Sequence, residues 1–261
     1  MKGDAMTKLL YLECTSGISG DMCAAALLDA GASEEAVRRA LESLPVEGFA
    51  VEISRVKKSG LDVCDFSVVL DAAHENHDHD MAYLHGHGGA SEHGHGHDHD
   101  RDHGRAHDHD HAHGAPGGHH HRGPAEIAQI IDGAAMTDGA KAIAHRMFGF
   151  VADAEARAHG VPVGEVHFHE VGAVDSIADI IAIAVAADDL APDGVVVSDL
   201  PCGYGTVRCQ HGLIPVPAPA TAFIAEAAGV TLSPVDVDGE LVTPTGAAAA
   251  AALRTEAALP E

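Results

Sequence analysis

The sequence predicts an α/β protein in which helices pack on a small sheet, with a disordered His-rich insertion. Apolar residues make up 46% of the 261 residues but aromatic residues only 3%, so the core must consist mainly of Ala, Val, Leu and Ile. Such a core suits helices packed on a sheet. The apolar pattern stops at residues 74–123, which are rich in His. We therefore expect two lobes of one domain, at 1–73 and 124–261, on either side of this insertion.

The first lobe is predicted to contain three strands and two helices. An apolar run at residues 8–14 indicates a buried strand, and Ser33 is well placed to cap the second helix. A turn at residues 58–60 joins two runs that are typical of strands. The predicted elements, in order, are strand 8–14, a turn at 15–20, helix 21–30, helix 34–44, and strands 49–56 and 62–70.

The second lobe is predicted to be mainly helical. Prolines at 215, 217 and 219 exclude a central strand or a helix interior there, so this segment is a rigid lead into the next helix. An Ala-rich last helix opens at Thr245 and is expected to run almost to the C-terminus. The predicted elements are helices 124–136 and 141–159, extended chain 161–169, helix 175–187, strand 195–197, a hairpin or loop 203–211, helix 220–228 and the last helix.

The charge balance excludes one class of partner. The net charge is −25 with His neutral, and so acidic a surface repels the phosphate backbone of nucleic acids.

Five cysteines without a Cys-x-x-Cys pair argue against a disulfide framework and a zinc ribbon. The first eight residues lack the apolar region of a signal peptide, and no uncharged apolar run reaches about 18 residues. We therefore expect a cytoplasmic protein that binds neither nucleic acid nor membranes.

The His-rich tract, residues 74–121, holds 17 of the 22 histidines, interleaved with Asp and Gly. Imidazole nitrogens suit nickel, zinc, copper and cobalt, and His-rich tracts are typical of metal binding. The tract is therefore predicted to be a transition-metal reservoir or delivery segment, although a plain polar insertion is the alternative. The candidate ligands within it are His93, His95, His97, His99, His103, His107, His109, His111 and His113.

Two segments could bind an anion at the start of a helix. A glycine-containing turn between a strand and a helix lets backbone N–H groups approach a phosphate, and the Thr-Pro-Thr-Gly segment at 243–246 also opens a helix. Ordinary helix caps are the alternative for both. The candidate binding residues are Ser16, Gly17, Ser19, Gly20 and Asp21 in the first segment, and Thr243, Thr245 and Gly246 in the second.

A second cluster of ligand-type side chains follows the second long helix. If residues 167–169 are extended, His167 and His169 point to the same face, with Glu170 beside them. Asp175 and Asp179 lie one helical turn apart. Two imidazoles and up to three carboxylates could form a divalent metal site. A hydrogen-bonded His pair and an Asp175 cap are the alternatives.

A glycine-rich segment at 203–212 is a weaker candidate. Glycines on both sides of Tyr204 suggest close approach to a ligand, with Arg208 and His211 as polar contacts. A glycine-rich hairpin is the alternative.

Four segments, taken in order, resemble the LarC family, the nickel-insertion proteins of nickel-pincer nucleotide biosynthesis. The resemblance covers nearly the whole chain. It implies a nickel chelatase of the lyase class that delivers Ni²⁺ to pyridinium-3,5-bisthiocarboxylic acid mononucleotide. Family members continue into a C-terminal domain associated with CTP and Mn²⁺ or Mg²⁺, so this chain corresponds to the N-terminal part. The segments are 16–22, 167–176, 211–221 and 243–247.

The resemblance to that family implies a role for each group of candidate residues. We expect the tract to collect Ni²⁺ and the turn at 16–20 to hold the substrate phosphate, with the helix start at 243–246 as the alternative. We expect His167, His169, Glu170 and Asp175 to act as catalytic residues that hold the metal during exchange. The expected partners are the mononucleotide, the C-terminal LarC domain or product, and further copies of the chain in a homo-oligomer. The alternatives are a nickel storage protein or metallochaperone without catalysis, and a metal-dependent phosphohydrolase.

Overall fold

The computed structural model describes residues 8–71, 122–166, 168, 174–209 and 212–259. In these ranges the chain has seven α-helices and eight strands, which confirms the mixed α/β class. The His-rich tract lies outside them. The elements are β1 (Leu9–Leu12), α1 (Gly20–Asp29), α2 (Glu34–Glu42), β2 (Phe49–Lys58), β3 (Leu61–Leu70), α3 (Pro124–Gly133), α4 (Asp138–His159), α5 (Val174–Leu190), β4 (Gly194–Val197), β5 (Leu200–Tyr204), β6 (Thr206–Cys209), β7 (Gly212–Pro215), α6 (Pro219–Ala228), β8 (Leu232–Asp238) and α7 (Pro244–Leu253).

The strands pair in twos. Strand β1 lies parallel to β4, and β5 lies parallel to β8, whereas β2–β3 and β6–β7 are antiparallel hairpins. The β2–β3 hairpin closes at Ser59 and Gly60, which both have positive φ (51° and 83°). That conformation suits a two-residue turn between twisted strands. The small sheet expected from the sequence is therefore divided, in the described part of the chain, into four two-stranded sheets.

Helix α5 lies at the centre of the fold. Twelve of its 17 residues are buried, and they occur on every side of the helix. It packs against α1, α2, α4, α7 and β3. A helix that is apolar all round is buried in a core, so the Ile- and Ala-rich sequence of α5 accounts for its position. Residues from before and after the His-rich tract thus share one core.

Three aspartates of α5 bind the starts of three neighbouring helices. Asp189 accepts a hydrogen bond from the backbone N–H of Ser33, the N-cap of α2, at 2.8 Å. Asp188 accepts one from the hydroxyl of Thr137, the N-cap of α4, at 2.6 Å. Asp179 accepts one from the backbone N–H of Asp21 in the first turn of α1. A carboxylate is favourable at a helix N-terminus because the helix dipole is positive there.

Several predicted elements differ from the structure. Helix α4 starts at Asp138 rather than residue 141, because the Thr137 hydroxyl accepts a hydrogen bond from Ala140 N–H. The segment predicted as extended at 161–169 instead contains a 3₁₀ turn, Val163–Glu165. Strands β5 and β8 were missed, and the hairpin or loop predicted at 203–211 is a hairpin of β6 and β7. The last helix ends at Leu253, because Arg254 leaves the helical conformation and the N–H groups of the next two residues donate to Val195 O.

The remaining elements lie close to their predicted positions. Ser33 caps α2 as expected, since its hydroxyl accepts a hydrogen bond from Ala36 N–H at 3.2 Å. Among the described residues, no helix has both the length and the apolar character needed to cross a bilayer.

Candidate functional site

The two predicted anion-binding segments lie side by side. Ile18 N–H donates to Leu241 O at 2.9 Å, and Thr243 N–H donates to Ile18 O at 3.2 Å. Ile18 and Val242 thereby form a parallel bridge immediately before the starts of α1 and α7. We call residues 16–21 and 241–246 together the paired helix starts.

Glycines allow this close approach. A Cβ on Gly246 would overlap the carbonyl oxygen of Ile18 and lie 2.6 Å from its carbonyl carbon. Gly17 has φ +101°, and its Cβ would overlap the carbonyl oxygen of Leu241. Both contacts are with backbone, which cannot move aside as a flexible side chain can. Gly17 and Gly246 are thus required for the backbones to meet.

The start of α7 is uncharged. Thr243 caps the helix, because its hydroxyl accepts a hydrogen bond from Gly246 N–H at 3.1 Å. Pro244 occupies the first turn, which contains no acidic residue. Thr245 is 7% exposed. The cap predicted as an alternative to anion binding is therefore present, and it leaves the Thr245 hydroxyl available.

The start of α1 is acidic. The Ser19 hydroxyl donates to the Asp21 carboxylate instead of capping the helix. Gly20 lies against Asp179, so that a Cβ on Gly20 would be 2.8 Å from the Cβ and Cγ of Asp179. Burial raises the pKa of Asp179 well above its ordinary value, and the charges of Asp21 and Asp175 raise it further, whereas the hydrogen bond from Asp21 N–H lowers it.

Two buried cysteines adjoin this acidic group. Burial raises the pKa of Cys23 to about 12, with smaller contributions from Cys14 and Asp179. Burial also raises the pKa of Cys14, whose backbone N–H donates to the Ser198 hydroxyl at 2.8 Å. Both side chains are therefore neutral thiols at physiological pH. Sequence reasoning missed this pair, although Cys14 and Cys23 stand on either side of the turn at 16–21.

The predicted metal cluster is described only in part. His167, His169, Glu170 and His211 lie outside the described residues, as do the nine histidines proposed as ligands in the tract. Asp175 is at the start of α5, where its carboxylate accepts a hydrogen bond from Ser176 N–H at 2.9 Å. Within the described ranges, no group of three or more His, Cys, Asp or Glu side chains is arranged to hold a metal ion.

Phe168 anchors the segment between the two histidines. Its ring is buried and packs edge-on against Phe148, with centroids 5.3 Å apart. Its backbone N–H donates to Arg122 O at 3.4 Å. Arg122 directly follows the His-rich tract in sequence, so this bridge pairs the first described residue after the tract with Phe168.

The glycines of the segment at 203–212 are explained by strand pairing. Its described residues form the end of β5, strand β6 and the first residue of β7, and Arg208 lies on β6 opposite Leu213. A Cβ on Gly203 would lie 2.8 Å from the carbonyl oxygen of Val237. Gly203 therefore allows the backbones of β5 and β8 to approach each other. The sequence suggested that these glycines approach a ligand, but at Gly203 the close contact is with a neighbouring strand.

The pKa of Asp179 leads to a prediction on stability. Because the folded pKa lies above the ordinary value of 3.8, ionisation of Asp179 lowers stability as the pH rises through the folded pKa. Asp179→Asn cannot ionise but keeps an oxygen for Asp21 N–H. We expect this variant to have a higher Tm than the parent at about pH 8, and the difference to shrink towards about pH 4.

Circular dichroism melts across this pH range would measure the effect. Asp153→Asn, which removes an exposed carboxylate of α4, is the matched control and should not follow the same course. A Tm difference for Asp179→Asn that is independent of pH would contradict the prediction.

Comparisons with known proteins agree with the resemblance seen in the sequence. A family model described as nickel insertion protein matches residues 10–261. The chain is 47% identical over 257 residues to the pyridinium-3,5-bisthiocarboxylic acid mononucleotide nickel insertion protein of Alkaliphilus metalliredigens, covering 98% of this chain and 54% of the relative. No solved structure matches the chain significantly.

Two further relatives carry the same name. The Geobacillus kaustophilus protein is 37% identical over 240 residues, which is 92% of this chain and 49% of the relative. The Staphylococcus saprophyticus protein is 34% identical over 250 residues, which is 96% of this chain and 52% of the relative. The chain thus spans about half the length of the curated relatives it matches.

Proposed function

Because this chain belongs to the nickel insertion protein family, we propose that it inserts Ni²⁺ into pyridinium-3,5-bisthiocarboxylic acid mononucleotide to form the nickel-pincer cofactor. The activity would be that of a nickel chelatase of the lyase class. The observation that carries the proposal is the 47% identity, over 98% of the chain, with a relative of that name. We further propose that the complete reaction takes place in the cytoplasm and uses CTP with Mn²⁺ or Mg²⁺, the C-terminal LarC part and a homo-oligomeric protein.

The metal side of the reaction is proposed to lie at the start of α5. Asp175, Asp179 and Asp21 interact there, and a group of carboxylates raises the local concentration of cations. Since burial disfavours the ionised form of Asp179, a divalent cation nearby would stabilise that form. We propose that Asp175 holds Ni²⁺ together with His167, His169 and Glu170 while the metal changes ligands.

Nickel must then pass to the substrate. The two thiocarboxylate sulfurs of the mononucleotide are soft ligands, and nickel must lose imidazole or water ligands to reach them. A site of imidazoles and one or two carboxylates releases the metal more readily than a thiolate site does. The raised pKa values of Cys14 and Cys23 fit this requirement, because a thiol that is harder to deprotonate is a weaker competitor for nickel.

The His-rich tract is proposed to supply the metal. The pairing of Arg122 with Phe168 supports this role. Arg122 follows the last histidine of the tract, and Phe168 stands between His167 and His169. Nickel released at the end of the tract would therefore be near the segment proposed to receive it.

The substrate side is proposed to lie at the paired helix starts. Helix N-termini present backbone N–H donors and a positive dipole to an anion. The mononucleotide carries one phosphate, so one of the two starts is sufficient. The residues proposed to line this region are Ser16, Gly17, Ser19, Gly20, Asp21, Thr243, Thr245 and Gly246, with His211 as a further polar contact.

An insertion assay tests the proposal. We expect His169→Ala and Asp175→Ala, supplied with the C-terminal LarC part, CTP and Mn²⁺, to form the cofactor roughly tenfold more slowly or worse, because each change removes a ligand. The total nickel bound per chain should stay nearly unchanged, since the tract provides most of it. His145→Ala and Asp153→Ala, which alter a half-buried and an exposed side chain of α4, are the matched controls.

Three results would count against this function. Full cofactor formation by both variants would exclude a role for these residues in the chemistry. Release of inorganic phosphate from the mononucleotide by the parent would indicate a phosphohydrolase. Tight nickel binding by a parent that forms no cofactor would indicate storage.

A further inference from the structure

We propose that the substrate phosphate binds at the start of α7, on the hydroxyl and the backbone N–H of Thr245, and not at the start of α1. This inference rests on the proposed function, because the phosphate belongs to the mononucleotide proposed there. It assigns the phosphate to the start of α7, which the sequence offered as the alternative to the turn at 16–20.

The start of α1 already holds the chain's own anions. Asp21 N–H donates to Asp179, and the Ser19 hydroxyl donates to Asp21. Two of the donors that would bind a phosphate there are therefore engaged by carboxylates. A phosphate placed there would also face the negative charges of Asp21, Asp175 and Asp179, and like charges repel most strongly where water is partly excluded.

The first turn of α7 has free donors and contains no carboxylate of its own. Pro244 lacks an N–H, and Gly246 N–H is bound by the Thr243 hydroxyl. The backbone N–H of Thr245 has no hydrogen bond to any other described residue. The first turn contains no acidic side chain, so its positive dipole is not neutralised.

The Thr245 hydroxyl is the independent observation that points to a ligand. Thr245 is 93% buried, and its hydroxyl makes no hydrogen bond within the described ranges. The oxygen is nevertheless not sealed off from solvent. Because this oxygen reaches solvent although the residue is largely buried, it is free to donate to a bound anion in place of water. A phosphate oxygen would provide the missing partner.

The backbone around this start is held firmly. The buried Thr221 hydroxyl donates to Val242 O at 3.3 Å, and Gly246 lies against the carbonyl group of Ile18. Two donors of one residue are thereby fixed in position before a ligand arrives. Preorganised donors bind more tightly, because little ordering remains to be done on binding.

Binding measurements with two ligands test the assignment. Calorimetry without nickel would compare the mononucleotide with its dephosphorylated nucleoside, on the full chain. Thr245→Val keeps the shape of the side chain but removes the hydroxyl. We expect it to weaken binding of the mononucleotide roughly tenfold, since a hydrogen bond to a charged group is lost, and to leave binding of the nucleoside unchanged.

Two matched variants complete the series. Thr245→Ser keeps the hydroxyl and should retain most of the affinity for the mononucleotide. Thr231→Val makes the same change at an exposed position and should bind both ligands as the parent does. If Thr245→Val does not fold, amide NMR of the parent with inorganic phosphate replaces it, and the Thr245 signal should shift more than the Asp21 signal.

The outcomes separate this inference from the proposed function. A parent that binds neither ligand would count against the proposed function as well, whereas a parent that binds both equally, without a preference for the mononucleotide, would overturn this inference. A parent with that preference, retained in full by Thr245→Val, would overturn the inference alone. Loss of the preference in Ser19→Ala, or a larger phosphate shift at Asp21 than at Thr245, would place the phosphate at α1 and also overturn it.

Discussion

Gly246→Ala is expected to lower the free energy of unfolding by about 2–3 kcal/mol, the upper part of the range for overpacking. The new methyl group would overlap the carbonyl oxygen of Ile18 and lie 3.0 Å from the Cα of Ser19. Because both neighbours are backbone atoms, α7 can make room only by moving away from the turn before α1. The bridge between Ile18 and Val242 would be lost with that movement.

Thermal and urea unfolding would measure the effect, and a Tm decrease of roughly 4–12 °C is expected for a chain of this size. Gly149→Ala is the matched control. Gly149 lies within α4 with no atom near the position of a Cβ, so Ala should stabilise that helix slightly. Equal stability of the parent and Gly246→Ala would show that the two helix starts are not packed as described.

Replacement of nine tract histidines by Asn should have the largest effect on nickel. These are His93, His95, His97, His99, His103, His107, His109, His111 and His113, out of 17 in the tract. We expect the Ni²⁺ bound per chain to fall by roughly half or more, because imidazole is the main nickel ligand that the tract offers. Cofactor formation should slow mainly when nickel is scarce.

Calorimetry with Ni²⁺ would give the stoichiometry of the parent and the variant. His145→Asn is the control, since His145 lies on α4 and is hydrogen-bonded to Asp132 at 2.8 Å, away from the tract in sequence. The same nickel stoichiometry in parent and nine-site variant would rule out the tract as the main reservoir.

The elements that the sequence predicted well are those with local signals. The cap at Ser33 and the turn at Ser59 and Gly60 depend on the conformation of a few adjacent residues. The buried helix α5 follows from its own apolar sequence. Strand β8 has no such signal, because it contains Pro234 and is ordered by pairing with β5. The end of α7 was missed for the same reason, since pairing with Val195 draws the chain away from helical conformation.

In the candidate site, too, features that depend on adjacent residues were predicted, whereas contacts between distant segments were not. Each glycine-containing helix start was recognised from its own residues. Their contact through Ile18 and Val242 joins segments more than 200 residues apart, and motif spacing carries no information on it. The charge at the start of α1 was also not predicted, because Asp179 reaches it from another helix. Two motifs that look alike in sequence therefore differ in the acidic groups beside them.

The three aspartates of α5 have a consequence for the order of folding. Asp189 binds Ser33 across 156 residues of sequence, and Asp188 binds Thr137 across 51. During synthesis, α1, α2 and α4 would all emerge from the ribosome before the helix that secures their starts. Contacts of such high sequence separation form slowly and leave apolar faces exposed meanwhile. The chain should therefore fold late and cooperatively, after residue 190 has emerged from the ribosome. A shorter nascent chain would depend on chaperones to remain soluble.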